Sequence, residues 1–315
     1  MDIGASTHTP LSGASDIRKR YMTYCSAKMR YNKKFKMKNS LSVIKTDILN
    51  CFGFNQTHKL SIDQAHNLLV IARNPWINLY YDKKLPDQIK NIGDYAIGHA
   101  ELKYADFQKR YGKKFQILLT TDRAKSVETA VKMADRGVSL FDKNVKIKLE
   151  VLTKDYRHPI NDFVIEAAQI LRSSEKKYCI WPIINYNEKD IVTLANIGVE
   201  VIRVMRGPFG CNGTIKEVPD LNHLGKIGID LKIPIILEGG IGNDKQVYEA
   251  LITPGIKAIL INSCLFKPLD DETTVDPIYM MKTIRHAADL ASRNKRYHPY
   301  NLNCCSISKQ IEDLM

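Results

Sequence analysis

The sequence predicts an α/β fold, a (β/α)8 barrel behind a basic N-terminal extension, on three observations. Apolar segments of strand length alternate with helical patterns from Pro75 onward, these segments number eight, and the seventh ends in a glycine-rich turn, Glu238-Gly239-Gly240-Ile241-Gly242. Alternation implies parallel strands joined by right-handed crossovers, and eight of them favour closure over an open sheet.

Taken in order, residues 1–45 read as a basic, disordered extension. Residues 1–60 hold eleven Lys or Arg against three Asp, so they carry +8 of the chain's +13. Disorder, a basic arm or an organelle transit segment all fit this acid-poor composition. Residues 46–74, with Ile48, Leu49, Leu68, Leu69 and Val70, read as a helical lead-in. The barrel is expected over 75–300, and 301–315 as a tail. Its strands are read at Trp76–Tyr81, Tyr95–His99, Phe115–Leu119, Val145–Val151, Tyr178–Ile183, Glu200–Val204, Ile233–Leu237 and Ala258–Ile261. Helical patterns lie between most of them, at Ser126–Gly137, Asn161–Leu171, Glu188–Ile197, Leu221–Ile229 and Lys245–Leu251, and a last helix over Pro277–Arg293 closes the outer ring. The first two units are short and poorly patterned.

Outside the extension the charge is ordinary for a soluble enzyme that handles anions, so no nucleic-acid partner is expected. No apolar run approaches the roughly 18 residues of a membrane span, and no secretory leader is visible. Seven cysteines without a Cys-x-x-Cys pair point to free thiols in a reducing compartment rather than to disulfides or zinc. A cytoplasmic location is expected, or a plastid one if residues 1–45 are a transit segment.

Val145-Lys146-Ile147-Lys148-Leu149-Glu150-Val151 alternates charge and hydrophobe with period two. On a barrel strand the outward face packs on helices and must be apolar, so Lys146, Lys148 and Glu150 point inward. Desolvation and crowding by other cations would lower the Lys148 pKa and leave a free amine for Schiff-base chemistry. Glu150 is placed to shuttle protons or to pair with it; a buried ion pair that only fills the lumen is the competing reading. Glu238 ends the seventh strand and is a candidate general base for enolisation. The Gly-Gly-Ile-Gly turn, with a helix opening on Asn243 or Asp244 and with Asn262-Ser263 after the eighth strand, suits a phosphate. Arg206-Gly207-Pro208-Phe209-Gly210-Cys211-Asn212-Gly213, after the sixth strand, either closes over a ligand or is a surface turn.

With these residues in hand, the chain from about Pro75 to Tyr297 resembles the bacterial and plastid thiazole synthases of thiamin biosynthesis. The matches run in order: Ile147-Lys148-Leu149-Glu150-Val151, Pro182, Pro208-Phe209-Gly210, Gly239-Gly240-Ile241-Gly242 and Ile259-Leu260-Ile261-Asn262-Ser263. The resemblance implies a TIM barrel in which Lys148 forms an imine with 1-deoxy-D-xylulose 5-phosphate. A glycine-derived imine and sulfur from the thiocarboxylate of a small ubiquitin-like carrier protein complete the thiazole. It implies catalytic roles for Lys148, Glu150 and Glu238, phosphate binding by Gly210, Gly239, Gly240, Gly242, Asn262 and Ser263, no metal or organic cofactor, and a homo-oligomer. The sequence departs from the family at Glu238, where an aspartate is usual, and at Leu79-Tyr80-Tyr81-Asp82-Lys83-Lys84, Glu101-Leu102-Lys103 and Thr120-Thr121-Asp122-Arg123-Ala124. The alternative reading is a barrel that keeps the phosphate loops but serves as a binding or interaction protein without thiazole synthase activity.

Overall fold

A computed structural model describes residues 46–52, 60–81, 86–98, 102–112, 115–122, 124–141, 145–176, 178–266 and 276–297. The expected extension (1–45) and tail (301–315) lie outside them. Ten strands form one sheet: β1 (Ile48–Asn50), β2 (Trp76–Tyr81), β3 (Tyr95–Ile97), β4 (Leu102–Lys103), β5 (Gln116–Thr120), β6 (Lys146–Leu149), β7 (Cys179–Asn185), β8 (Ile202–Met205), β9 (Ile235–Glu238) and β10 (Ile256–Ile261). The helices are α1 (Ile62–Ala72), α2 (Tyr104–Tyr111), α3 (Val127–Leu140), α4 (Asn161–Ser173), α5 (Glu188–Ile197), α6 (Leu221–Leu231), α7 (Asp244–Ile252) and α8 (Pro277–Tyr297).

Eight of these strands run parallel in the order β1-β10-β9-β8-β7-β6-β5-β2. The expected count of eight therefore holds, but two memberships change. Ile48–Asn50, read as helical, is the first strand, pairing with Ile259–Ile261. Two apolar residues and an asparagine carry no period of their own, and only the edge of β10 makes them a strand. Tyr95–Ile97, read as the second barrel strand, instead returns antiparallel along β2, with Leu79 opposite Ile97 and Tyr81 opposite Tyr95. A parallel return needs a crossover helix. Between β2 and β3 the described residues hold only single 3-10 turns, Pro86–Gln88 and Ile92–Asp94.

That hairpin seals the seam between β1 and β2. The Asn78 side-chain amide donates to the Asn50 carbonyl (2.8 Å), and Gly98 N donates to Asn78 O (3.0 Å). Gly98 is at φ +54°, and a Cβ there would stand 2.4 Å from Phe52 O, so only glycine allows the chain this close to the end of β1. Inside, Leu49, Trp76, Tyr80, Leu118, Trp181, Ile236, Ala258 and Leu260 form one buried cluster drawn from β1, β2, β5, β7, β9 and β10. Outside, Ile147, Leu149 and Val151 join the larger core under the helices. Five of the helices begin where short polar side chains satisfy their first N–H groups: Ser61 and Gln64 form a capping box at α1, and Ser126, Asn187, Asp220 and Asn243 cap α3, α5, α6 and α7. Among the described residues no helix is long and apolar enough to cross a membrane.

Candidate active site

The strands' C-terminal ends surround a cavity of about 410 Å³, the end at which barrel enzymes assemble their sites. Cys51, Tyr80 and Asp122 line it from the β1, β2 and β5 side, and Lys148, Glu150, Leu152 and Tyr156 from β6 and its loop. Phe209, Gly210, Glu238, Gly239, Gly240, Asn262 and Ser263 complete the wall.

At its floor lie four charged groups, each no more than 2% exposed: Lys148, Glu150, Arg203 and Glu238. Lys148 Nζ stands 2.5 Å from Glu150 Oε1 and 3.0 Å from Glu238 Oε1. Arg203 Nη1 is 2.8 Å from Glu150 Oε1 and also pairs with Glu238 Oε2. Thr120 Oγ1 reaches Glu150 Oε2 at 3.4 Å. Two cations and two anions alternate in a closed ring, which is how charges this deep escape the cost of burial.

The ring overturns one expectation. Burial by itself would push the Lys148 pKa down, but Cys51, Glu150 and Glu238 outweigh it and hold the ammonium well above the usual lysine range. Burial likewise pushes Glu150 up, yet Lys148 and Arg203 bring its carboxyl down to about 2. Burial raises the Cys51 thiol to about 11, so at neutral pH the negative charge next to Lys148 comes from the carboxylates. The resting amine is protonated, because two carboxylates touch it where the sequence leads one to expect crowding by other cations.

The glycine loops meet through backbone. Gly239 and Gly240 sit at φ +68° and +60°, and Cβ atoms there would stand 2.5 Å from Gly207 O and 2.8 Å from Gly207 N. Arg206 donates to Gly240 O. Gln246, in the first turn of α7, accepts from Gly242 N (2.8 Å) and donates to Gly213 O (3.1 Å). The Arg206–Gly213 loop is thus strapped to the glycine turn, and Phe209 N is bonded to Arg157 O (3.1 Å) on the loop after β6.

The sequence profile described as thiazole biosynthesis protein ThiG matches residues 100–298, more than half of the chain. The chain belongs to this family. Its relatives include the thiazole synthase of Acetivibrio thermocellus, 28% identical over 212 residues that make up 64% of this chain and 77% of the relative. The thiazole synthase of Staphylococcus carnosus is 27% identical over 198 residues (60% and 65%), and that of Porphyra purpurea 29% over 168 (51% and 58%). The chain thus spans between 58% and 77% of these proteins' lengths. Among solved structures, the Amycolatopsis orientalis BexX/CysO complex superposes with a TM-score of 0.64 at 21% identity, covering 82% of this chain and 93% of that one. At this identity the likeness concerns the fold, and it agrees with the TIM barrel read from the strand order.

Within this thiazole synthase framework the structure gathers most of the residues expected at the site. Lys148, Glu150 and Glu238 touch one another, and Gly210, Gly239, Gly240, Asn262 and Ser263 line the same cavity. Gly242 does not line it; its N–H is used by Gln246, and a Cβ there would stand 2.0 Å from Asn212 O. Tyr80 lines the cavity, whereas Tyr81 faces the outer core and donates its hydroxyl to Met133 O. Asp82, Lys83, Lys84, Glu101 and Arg123 lie outside the described residues. Sequence reasoning missed Arg203. Its only signal is a lone charge between Ile202 and Val204 in an apolar strand, and nothing in that strand says which carboxylates will meet it.

Proposed function

We propose that the cavity converts 1-deoxy-D-xylulose 5-phosphate, through an imine on Lys148, with a glycine-derived imine and carrier-borne sulfur, into a thiazole phosphate for thiamin biosynthesis. One observation carries this reading: a buried lysine caged by two carboxylates shares a cavity with a turn of bare glycines and with Asn262 and Ser263. Condensation with the ketone replaces the ammonium by an iminium of the same charge, so the cage that stabilises one also stabilises the other. Glu150 and Glu238 are in contact with Nζ and can take up the proton that must leave before nitrogen attacks. The phosphate would lie against the Gly239-Gly240 turn and Asn262-Ser263, with Gly210 on the facing loop. We also propose a small ubiquitin-like carrier with a C-terminal thiocarboxylate as sulfur donor. That the similarly folded Amycolatopsis orientalis structure is of a complex, BexX/CysO, supports the proposal of a protein partner. Assembly as a homo-oligomer belongs to the same reading.

Incubation with 1-deoxy-D-xylulose 5-phosphate, borohydride reduction and peptide mapping by mass spectrometry test it. An adduct on Lys148, absent from Lys148→Ala, is expected. Tight binding of the sugar phosphate without a reducible adduct, while an active thiazole synthase is labelled in parallel, would instead support the binding-protein alternative.

A further inference from the structure

The two carboxylates at the floor of the cavity are balanced by a second cation. Arg203 is fully buried, and its guanidinium is fixed on three sides: Nε donates to Trp181 O (2.9 Å), Nη2 to Leu149 O (3.1 Å), and Nη1 to both glutamates. The carbonyls belong to the adjacent β7 and to β6, one strand further along the sheet, so the planar head cannot turn. The glutamates are not served alike. Glu150 receives both cations on Oε1 and Thr120 on Oε2, whereas Glu238 takes Lys148 on Oε1 and Arg203 on Oε2.

This asymmetry has a chemical consequence if Lys148 forms the imine proposed above, on which the inference rests. The ammonium proton passes to a carboxylate, the amine forms the C–N bond while the carbonyl π pair moves onto oxygen, and proton returns from the carboxylate let that oxygen leave as water. The balance is ammonium plus ketone giving iminium plus water. The iminium keeps one of the ammonium's three N–H groups; held by the nearer Glu150 Oε1 (2.5 Å against 3.0 Å), it leaves Glu238 Oε1 without that donor, while Glu150 also keeps Arg203 and Thr120. We propose that Arg203 is a positioning residue that clamps Glu238 by Oε2, turning Oε1 toward the iminium's neighbouring carbon as its proton acceptor, while holding Glu150 as the standing counter-ion. Loss of that C–H proton to Oε1 sends the bonding pair into the C–C bond of an enamine and neutralises the iminium nitrogen.

The titratable and charged groups that face this ring are Cys51 after β1, Tyr80 on β2, Asp122 after β5, Lys148 on β6 and Glu150 just after it, Arg203 on β8 and Glu238 on β9. Of these, Arg203 is the cation that the reaction does not consume.

The test compares the wild type with Arg203→Met, Arg203→Gln and Arg203→Lys. Glutamine keeps a donor for the carbonyls without the charge, so a folding failure of the methionine variant leaves a neutral variant to measure. Solvent deuterium exchange into 1-deoxy-D-xylulose 5-phosphate beside its ketone carbon is followed against pH, with borohydride-trapped adduct measured at each pH. The neutral variants should move the acid limb of exchange upward by about one pH unit or more, about tenfold in rate on that limb, and Arg203→Lys should move it back. A rate lowered equally at every pH, with the limb in place, would make Arg203 a packing element and overturn the proposal. If the wild type forms no adduct, the functional reading fails, and pH-difference infrared spectra decide Arg203 alone. A protonated-carboxyl band, assigned with Glu238→Gln and Glu150→Gln, should persist at neutral pH in the neutral variants and be absent from the wild type. Its absence from all of them would overturn the role.

Discussion

Thr121 and Glu150 exchange two hydrogen bonds through a single side-chain oxygen. Thr121 Oγ1 donates to Glu150 O (2.8 Å) and accepts from Glu150 N (2.8 Å), one residue past Thr120 and two past Lys148, the last backbone register pair of the two strands. The hydroxyl thus extends the β5–β6 ladder and holds Glu150 over the cavity after β6 ends.

Thr121→Val should leave a buried N–H and a buried C=O without partners. A loss of about 1–3 kcal/mol in urea unfolding is expected, with Thr121→Ser recovering most of it. Equal stability of the valine variant would show that these groups find other partners.

The Glu150 carboxyl is lowered from its ordinary 4.5 to about 2 in the folded protein. The unfolded chain therefore binds this proton more tightly, so the contribution of Glu150 is fully present above about pH 5 and is lost as pH falls from about 4.5 toward 2. Lys148→Met removes one of its cations and should cost about 3–5 kcal/mol at pH 7. Melting temperatures from pH 7 to pH 3 should show the gap between wild type and variant closing with acid; a gap that widens would contradict the sign.

Gly240 and Gly210 separate two reasons for a glycine. Both have positive φ, but a Cβ on Gly240 meets Gly207 N at 2.8 Å, while one on Gly210 meets nothing within 4 Å. Gly210→Ala should carry only the conformational cost, about 1–3 kcal/mol, and Gly240→Ala more. Thermal unfolding of the two variants side by side checks the order.

Cys51 lines the cavity, yet burial lifts its thiol to about 11. In the native protein at pH 7.5, iodoacetamide should modify it about a hundredfold more slowly than in the unfolded chain, with the rate rising as pH is raised. Peptide mapping after timed alkylation reads this directly; labelling at the unfolded rate would contradict it.

Local pattern was enough to read several features of this protein. Two-residue alternation over Val145–Val151 assigns Lys148 and Glu150 to the lumen, because an outward charge on a helix-covered strand would be buried unpaired. The glycine-rich turn at the end of the seventh strand reads directly from three glycines in four residues, although its close approach to Gly207 does not. Contacts far apart in sequence decided the rest. Ile48–Asn50 is a strand only because β10, some two hundred residues later, offers it an edge. Tyr95–Ile97 turned back on β2 because the described residues between them hold no helix to carry it across. Gly242 serves Gln246 and Asn212 rather than the cavity, which no inspection of the Gly-Gly-Ile-Gly run reveals. Lys148 identifies itself by its period, but its charge state belongs to Glu150, Glu238 and Arg203, which three separate strands bring within 3 Å of one another's charged atoms. Periodicity tells which way a side chain points; Coulomb energy depends on what it meets there, and only the closed barrel sets that distance.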